Sequence, residues 1–99
     1  MWGSAFGATA GTTGKSLRME VVRIRLTGDM AKSYDVYYRA HVQGLGWMAW
    51  AKNGEKAGTT GQARRAEAVQ VVIVPKGAKA PGTTYNGVRQ AYARAFVQG

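Results

Sequence analysis

Between Arg18 and Leu26 the chain alternates, with Val22, Ile24 and Leu26 on one face and Val21, Arg23 and Arg25 on the other. A period of two marks a strand with one face buried. Asp35 to Gln43 alternates in the same way: Val36, Tyr38, Ala40 and Val42 form an apolar face, and Tyr37, Arg39, His41 and Gln43 a polar, functional-looking one. Farther on, Val69, Val71 and Ile73 repeat the face of Val22, Ile24 and Leu26, while Val72 and Val74 replace the arginines opposite. A strand apolar on both sides predicts burial on both sides and a more central place in its sheet. Asn53-Gly54 between apolar segments predicts a two-residue type I′ turn, because both positions tolerate positive φ, and Thr-Thr-Gly and Pro-Gly sequences mark further turns.

The same residues recur at a fixed distance. Gly11-Thr12-Thr13-Gly14 returns as Gly58-Thr59-Thr60-Gly61, and the offset of 47 holds for Arg18 with Arg65, Glu20 with Glu67, Ile24 with Val71 and Leu26 with Ile73. A second block, Tyr37 to Gly44, returns as Tyr92 to Gly99 at an offset of 55, the extra residues falling in the Pro-Gly-rich connection between Pro75 and Thr84. Gly87 to Val97 has helical spacing in Val88, Ala91, Tyr92 and Ala95. The repeat overrules a helix there, since its counterpart alternates β-branched and aromatic residues. The expectation is an all-β fold of two out-of-phase copies of one β-repeat, prism- or propeller-like. The whole chain, 1–99, is one domain: 1–29 is the end of a first unit, 30–77 a complete second unit and 85–99 the opening strand of a next one. Joined tail to head, the ends rebuild a unit. The last strand is therefore expected beside the chain's own N-terminal segment or on a neighbouring chain, in a homo-oligomer that completes the fold.

Composition narrows the function. Ninety-nine residues with 45% apolar content suit one domain with a core. The absence of cysteine excludes a disulfide framework and thiolate zinc sites. No stretch approaches the roughly 18 apolar residues of a membrane span, so membrane insertion is not expected, and Met1-Trp2-Gly3-Ser4 does not read as the start of a signal peptide. Fourteen Lys and Arg against five Asp and Glu give a net charge of +9, a field that steers anions to the surface. The cations are spread along the chain rather than gathered in a patch, which speaks against nucleic acid and for anionic polymers such as bacterial cell-wall polyanions.

The chemistry points to binding rather than reaction. One His and five scattered carboxylates offer no metal-ligand spacing, and no cofactor is implied. His41 is the one candidate base for a nucleophile, yet its counterpart is Phe96, so the unit keeps its shape without an imidazole. Glu20 and Glu67 are repeat equivalents two residues from Arg18 and Arg65. They read as partly buried ion pairs, one per copy, rather than as a glycosidase pair. Gly-Thr-Thr-Gly resembles a phosphate-binding loop only superficially, since a strand and not a helix is expected after it. Trp47 and Trp50 stand near Tyr37, His41, Gln43 and Asn53, flat apolar faces beside amide and imidazole groups that suit sugar rings. A spacing of three on a strand places the two tryptophans on opposite faces, with Trp50 the exposed one.

Tyr38 to Gln62, including Gly46-Trp47, Trp50, Asn53-Gly54 and Gly58-Thr59, followed by Arg65 to Val71, resembles the clostridial hydrophobic repeat named for its tryptophan, the ChW repeat. The resemblance implies a non-catalytic module of bacterial surface and secreted proteins, extracellular or wall-associated, that serves adhesion or polymer binding. Met1 to Phe6 departs from the Gly-Trp signature in the first copy. The expected ligand is a glycan or anionic wall polymer held by Tyr37, His41, Gln43, Trp47, Trp50 and Asn53. The rival expectation is a self-assembling structural protein, ring or filament, closed by strand complementation between chains.

Overall fold

The computed structural model describes the backbone of residues 2–5 and 8–13 and all of residues 19–99. Two sheets stack face to face. The first holds β1 (Trp2–Ala5), β2 (Ala8–Thr13), β3 (Val21–Leu26), β7 (Ala57–Thr60) and β11 (Phe96–Gln98), in the order β1-β2-β3-β7-β11. The second is built on the long β4 (Tyr34–Val42). One edge of β4 carries β5 (Gly46–Trp47) and β6 (Ala51–Lys52), and β4 also pairs with β8 (Ala66–Pro75) along its length. A separate hairpin joins β9 (Thr84–Tyr85) to β10 (Val88–Arg89). None of the described sheets closes into a barrel.

The alternation in β3 and β4 sets the core. Val22, Ile24 and Leu26 face Val36 and Tyr38 across the sheets, with Ala51 and Ala57 between them. Ala40, Val42 and Met48 extend the layer toward Tyr92 and Val97. Each large aliphatic side chain taken out of water there contributes about 1.5–3 kcal/mol. Tyr38 is fully buried, and its hydroxyl donates to the Glu55 carbonyl, so the one polar atom of that ring is satisfied. Gly58 lets β3 and β7 meet: its φ is +116°, and a Cβ there would stand 2.2 Å from the Glu20 carbonyl oxygen.

Several expectations hold. β3 and β4 form where the alternation placed them, no helix occupies Gly87 to Val97, and Asn53 and Gly54 take φ of +46° and +90° in the turn. Others need correction. β8 pairs with β4 alone and is not central; Val71 and Ile73 are 47% and 42% exposed, whereas their counterparts Ile24 and Leu26 are 7% and 8% exposed. Both of its faces are apolar, but among the described residues β4 is the one strand paired with it, so β8 is an edge strand and stays partly exposed. β2 and β3 pair with each other, while their counterparts at the offset of 47, β7 and β8, lie in different sheets. The last strand, β11, does not lie beside the described N-terminal strands β1 and β2. It pairs in parallel with β7, Phe96 opposite Gly58. A short helix, α1 (Gly28–Ser33), joins β3 to β4 and buries none of its residues.

Candidate functional site

Arg39 and His41 project from β4 on the side away from the core, alternate with Tyr38 and Ala40. β5 pairs with the end of β4 so that Trp47 stands opposite His41, and the two rings meet edge to face at 5.2 Å. The chain then leaves strand geometry over residues 48–50. Met48 drops into the core with its amide on the Ala40 carbonyl, and Trp50 returns to the same side as Trp47. The two tryptophans therefore do not face opposite ways. Both are half-buried, and both cover the Arg39 guanidinium, whose carbon lies 5.1 Å from the Trp47 ring centre and 4.5 Å from that of Trp50. Alternation requires an unbroken strand, and the burial of Met48 breaks it.

Arg39 is 0% exposed. Its Nε donates to Gln70 Oε1 at 2.8 Å and its Nη2 to the Val88 carbonyl at 2.9 Å. Nη1 is buried with no partner. No carboxylate pairs with Arg39 among the described residues, and burial pulls its pKa below the ordinary value. Arginine nonetheless keeps its proton in proteins, so a positive charge sits under the sheet surface, neutralised only by dipoles and by the two indole faces. Cation–π contacts of this kind contribute about 0.5–2 kcal/mol each, most where water is excluded.

A roof lies over this cluster. Trp50 Nε1 donates to the Gly82 carbonyl at 3.1 Å, and the Tyr85 ring meets Trp50 edge-on at 5.8 Å. The β9–β10 hairpin that carries Tyr85 turns at Asn86-Gly87, with φ of +49° and +76°, the chemistry already seen at Asn53-Gly54. The amides of Ala91 and Tyr92 close the far side on the Trp47 carbonyl.

The six residues singled out by sequence thus separate. His41, Trp47 and Trp50 share one cluster with Arg39. Tyr37 lies on the same face of β4 but is buried at 7% exposure, beneath Lys52. Gln43 is exposed, its carbonyl taking Arg64 Nη1. Asn53 is a structural latch: its Nδ2 donates to Asp35 Oδ1 at 2.9 Å and its Oδ1 accepts the Val36 amide at 2.9 Å. Asp35, 3% exposed, also accepts the Gly77 amide and faces Lys76 and Lys52. The Gly77 and Asn53 hydrogen bonds hold its carboxyl well below the usual carboxylate range. Gln70 and Tyr85 are members that the sequence does not mark, and Arg39 is marked only as part of the polar face of its strand.

The ion pair of the second copy is solvent-exposed rather than partly buried, with Arg65 Nε 4.0 Å from Glu67 Oε2 and side chains 57% and 38% exposed. Glu67 leaves the core face because the β4–β8 register shifts: His41 opposes Ala68, Val42 opposes Ala66, and Glu67 is the extra residue of a bulge. Its Oε1 lies 3.1 Å from His41 Nδ1. Arg18, the partner expected for Glu20, lies outside the described residues. Among the described residues no three His, Cys, Asp or Glu gather to hold a metal, and no helix is long and apolar enough to cross a membrane. A separate surface cavity of about 230 Å³, lined by Arg25, Leu26, Ala31, Tyr34 and Asn53, sits at the α1 end.

No curated protein and no solved structure matches the chain. Among protein families, Clostridial hydrophobic W matches residues 2–28 and 41–75. The two segments end 47 residues apart, the offset of the internal repeat, and together span more than half of the chain. The tryptophans of the cluster fall in the second segment, and the chain belongs to the Clostridial hydrophobic W family.

Proposed function

We propose that this domain is a non-catalytic binding module of the bacterial surface that takes a glycan or anionic wall polymer on the Trp47–Trp50 side of the second sheet. The observation that carries the reading is the pairing of two half-buried indoles on one side of the sheet by a common cation. Stacked sugar rings need such fixed aromatic surface near hydrogen-bonding groups, and the net charge of +9 favours an anionic polymer over a neutral one. Isothermal titration of purified bacterial wall polysaccharide tests it. Trp50→Ala, with its far-ultraviolet circular dichroism unchanged, is expected to lose roughly thirtyfold in affinity, as for an aromatic anchor worth about 2 kcal/mol. Wild-type affinity in that variant would overturn the reading.

A second reading, self-association into a ring, prism or filament of units, is favoured by the exposed Val71 and Ile73 of β8. In this chain β11 pairs with β7, and the exposed apolar residues of β8 offer the surface for it. Light scattering on the intact chain and on Ile73→Lys tests this: an oligomer that the lysine dissociates supports it, and a monomer in both contradicts it.

A further inference from the structure

Burying a cation without a counter-charge is costly; of the five N–H donors of a guanidinium, those of Nη1 find no acceptor here. A core that needed only to fill this volume would be served by an apolar side chain. The two bonds that Arg39 does make also share a feature: both acceptors are neutral, one the Gln70 amide and the other the Val88 carbonyl of the roof. Beside it, the Gly82 carbonyl of the same roof takes the Trp50 indole N–H. Two main-chain oxygens of one short segment therefore occupy the acceptor places of the cluster.

That segment is anchored at its two ends, by the Lys76 amide on the Ser33 carbonyl and the Gly77 amide on Asp35 at one and by the Ala91 and Tyr92 amides on the Trp47 carbonyl at the other. Between them none of residues 78–90 belongs to the buried core, and Gly82, Thr83, Thr84, Asn86, Gly87 and Arg89 are exposed. Its grip on the cluster consists of the two carbonyl acceptors and the edge of Tyr85. An oxyanion is a better acceptor for a guanidinium than a peptide carbonyl, its hydrogen bonds being about twice as strong and able to engage two nitrogens at once. Resting on the binding reading above, we infer that Arg39 is the anion-recognising residue of the site. The carbonyls of Gly82 and Val88 are an internal stand-in, which a carboxylate or phosphate group of the bound polymer displaces to reach Nη1 and Nη2. On this account the ligand class is an acidic saccharide or a phosphate-containing polyol chain, and the β9–β10 hairpin is a cover that the ligand lifts.

The test is a titration of the full ¹⁵N-labelled chain at physiological salt, following the Arg39 Nε–H and Trp50 Nε1–H resonances. Three probes are used: sodium glucuronate, glycerol phosphate and, as the neutral counterpart, glucose. One or both anions are expected to shift both resonances saturably, with an affinity roughly tenfold or more above that of glucose, as for a charge-assisted pair. The anion that saturates first separates the carboxylate from the phosphate source. Tyr85→Ala, which loosens the cover without touching Arg39, is expected to bind the same anion several-fold more tightly. Equal effects of glucose and the anions would overturn the inference and leave the glycan reading standing. Anions that leave the Arg39 resonance unmoved, or a Tyr85→Ala variant that binds them more weakly, would overturn it too. Loss of polymer binding is read separately, in the Trp50→Ala calorimetry.

Discussion

Replacing Asn53 by alanine separates a ligand-binding role from a structural one. Asn53 continues the β4 ladder one step past β6: its amide donates to the Val36 carbonyl at 3.0 Å, and its side-chain oxygen accepts the Val36 amide in return. Val36 is 0% exposed, so removing that oxygen leaves a buried N–H unsatisfied, at about 1–3 kcal/mol. The backbone at residue 53 has φ of +46°, and alanine in the left-handed region costs about 1–2 kcal/mol more. Asp35 loses its Asn53 donor as well, which adds in the same direction. The expected loss is about 3 kcal/mol or more, a large part of the roughly 5–15 kcal/mol that holds a small domain. Asn53→Gly, free of the backbone strain, is expected to recover about 1 kcal/mol of it. Urea unfolding followed by circular dichroism reads both variants, and polymer affinity measured on the folded fraction is expected to stay at the wild-type value. A loss below about 1 kcal/mol, or a folded Asn53→Ala variant with weakened binding, would refute this reasoning.

Other outcomes follow from the same geometry. Because the folded-state pKa of Asp35 is depressed, its contribution is present above the unfolded value of about 3.9 and is lost as pH falls through the native value. The urea midpoint is therefore expected to drop from about pH 4 downward in the wild type, and to drop less over that range in Asp35→Asn, which is weaker at neutral pH. Met48→Ala is expected to cost about 2–5 kcal/mol, since Met48 is fully buried against Ala40 and Val42; thermal melts check it. Gly58→Ala should cost well beyond the roughly 1 kcal/mol range of ordinary glycine substitutions, because the Glu20 carbonyl occupies the place of its Cβ. Survival of that variant at wild-type stability would contradict the β3–β7 packing. Trp50→Phe keeps a ring over Arg39 but removes the donor to Gly82, so amide exchange across residues 82–90 is expected to quicken while the core is unchanged.

Local chemistry made much of the fold legible. Period-two alternation placed β3 and β4, and turn chemistry placed Asn53-Gly54, because each depends on neighbours within a few residues. Asn86-Gly87 has the same chemistry and is the signal by which the β9–β10 hairpin can be found. The helix α1 has no buried residue and so leaves no apolar period to detect. β8 is different: apolar residues on both faces read alike in a central strand and in one with a single partner, and the choice is made by pairing with β4 some thirty residues away. The tryptophan spacing misled for a similar reason, since the break at residues 48–50 is set by Met48 entering the core. Arg39 stands on the polar face of β4 in the alternation, yet its burial is set by Trp47 and Trp50 and completed by Gln70 and Val88, the last more than forty positions downstream.

Amide and indole shift mapping on adding solubilised wall polysaccharide tests whether the Arg39–Trp47–Trp50 cluster is where this domain meets its ligand. Saturable shifts are expected, confined to β4 around Arg39 and His41, to residues 47–50 and to the roof at residues 82–88. Shifts confined instead to the Arg25–Tyr34 cavity at the α1 end, or no shifts at all, would contradict it.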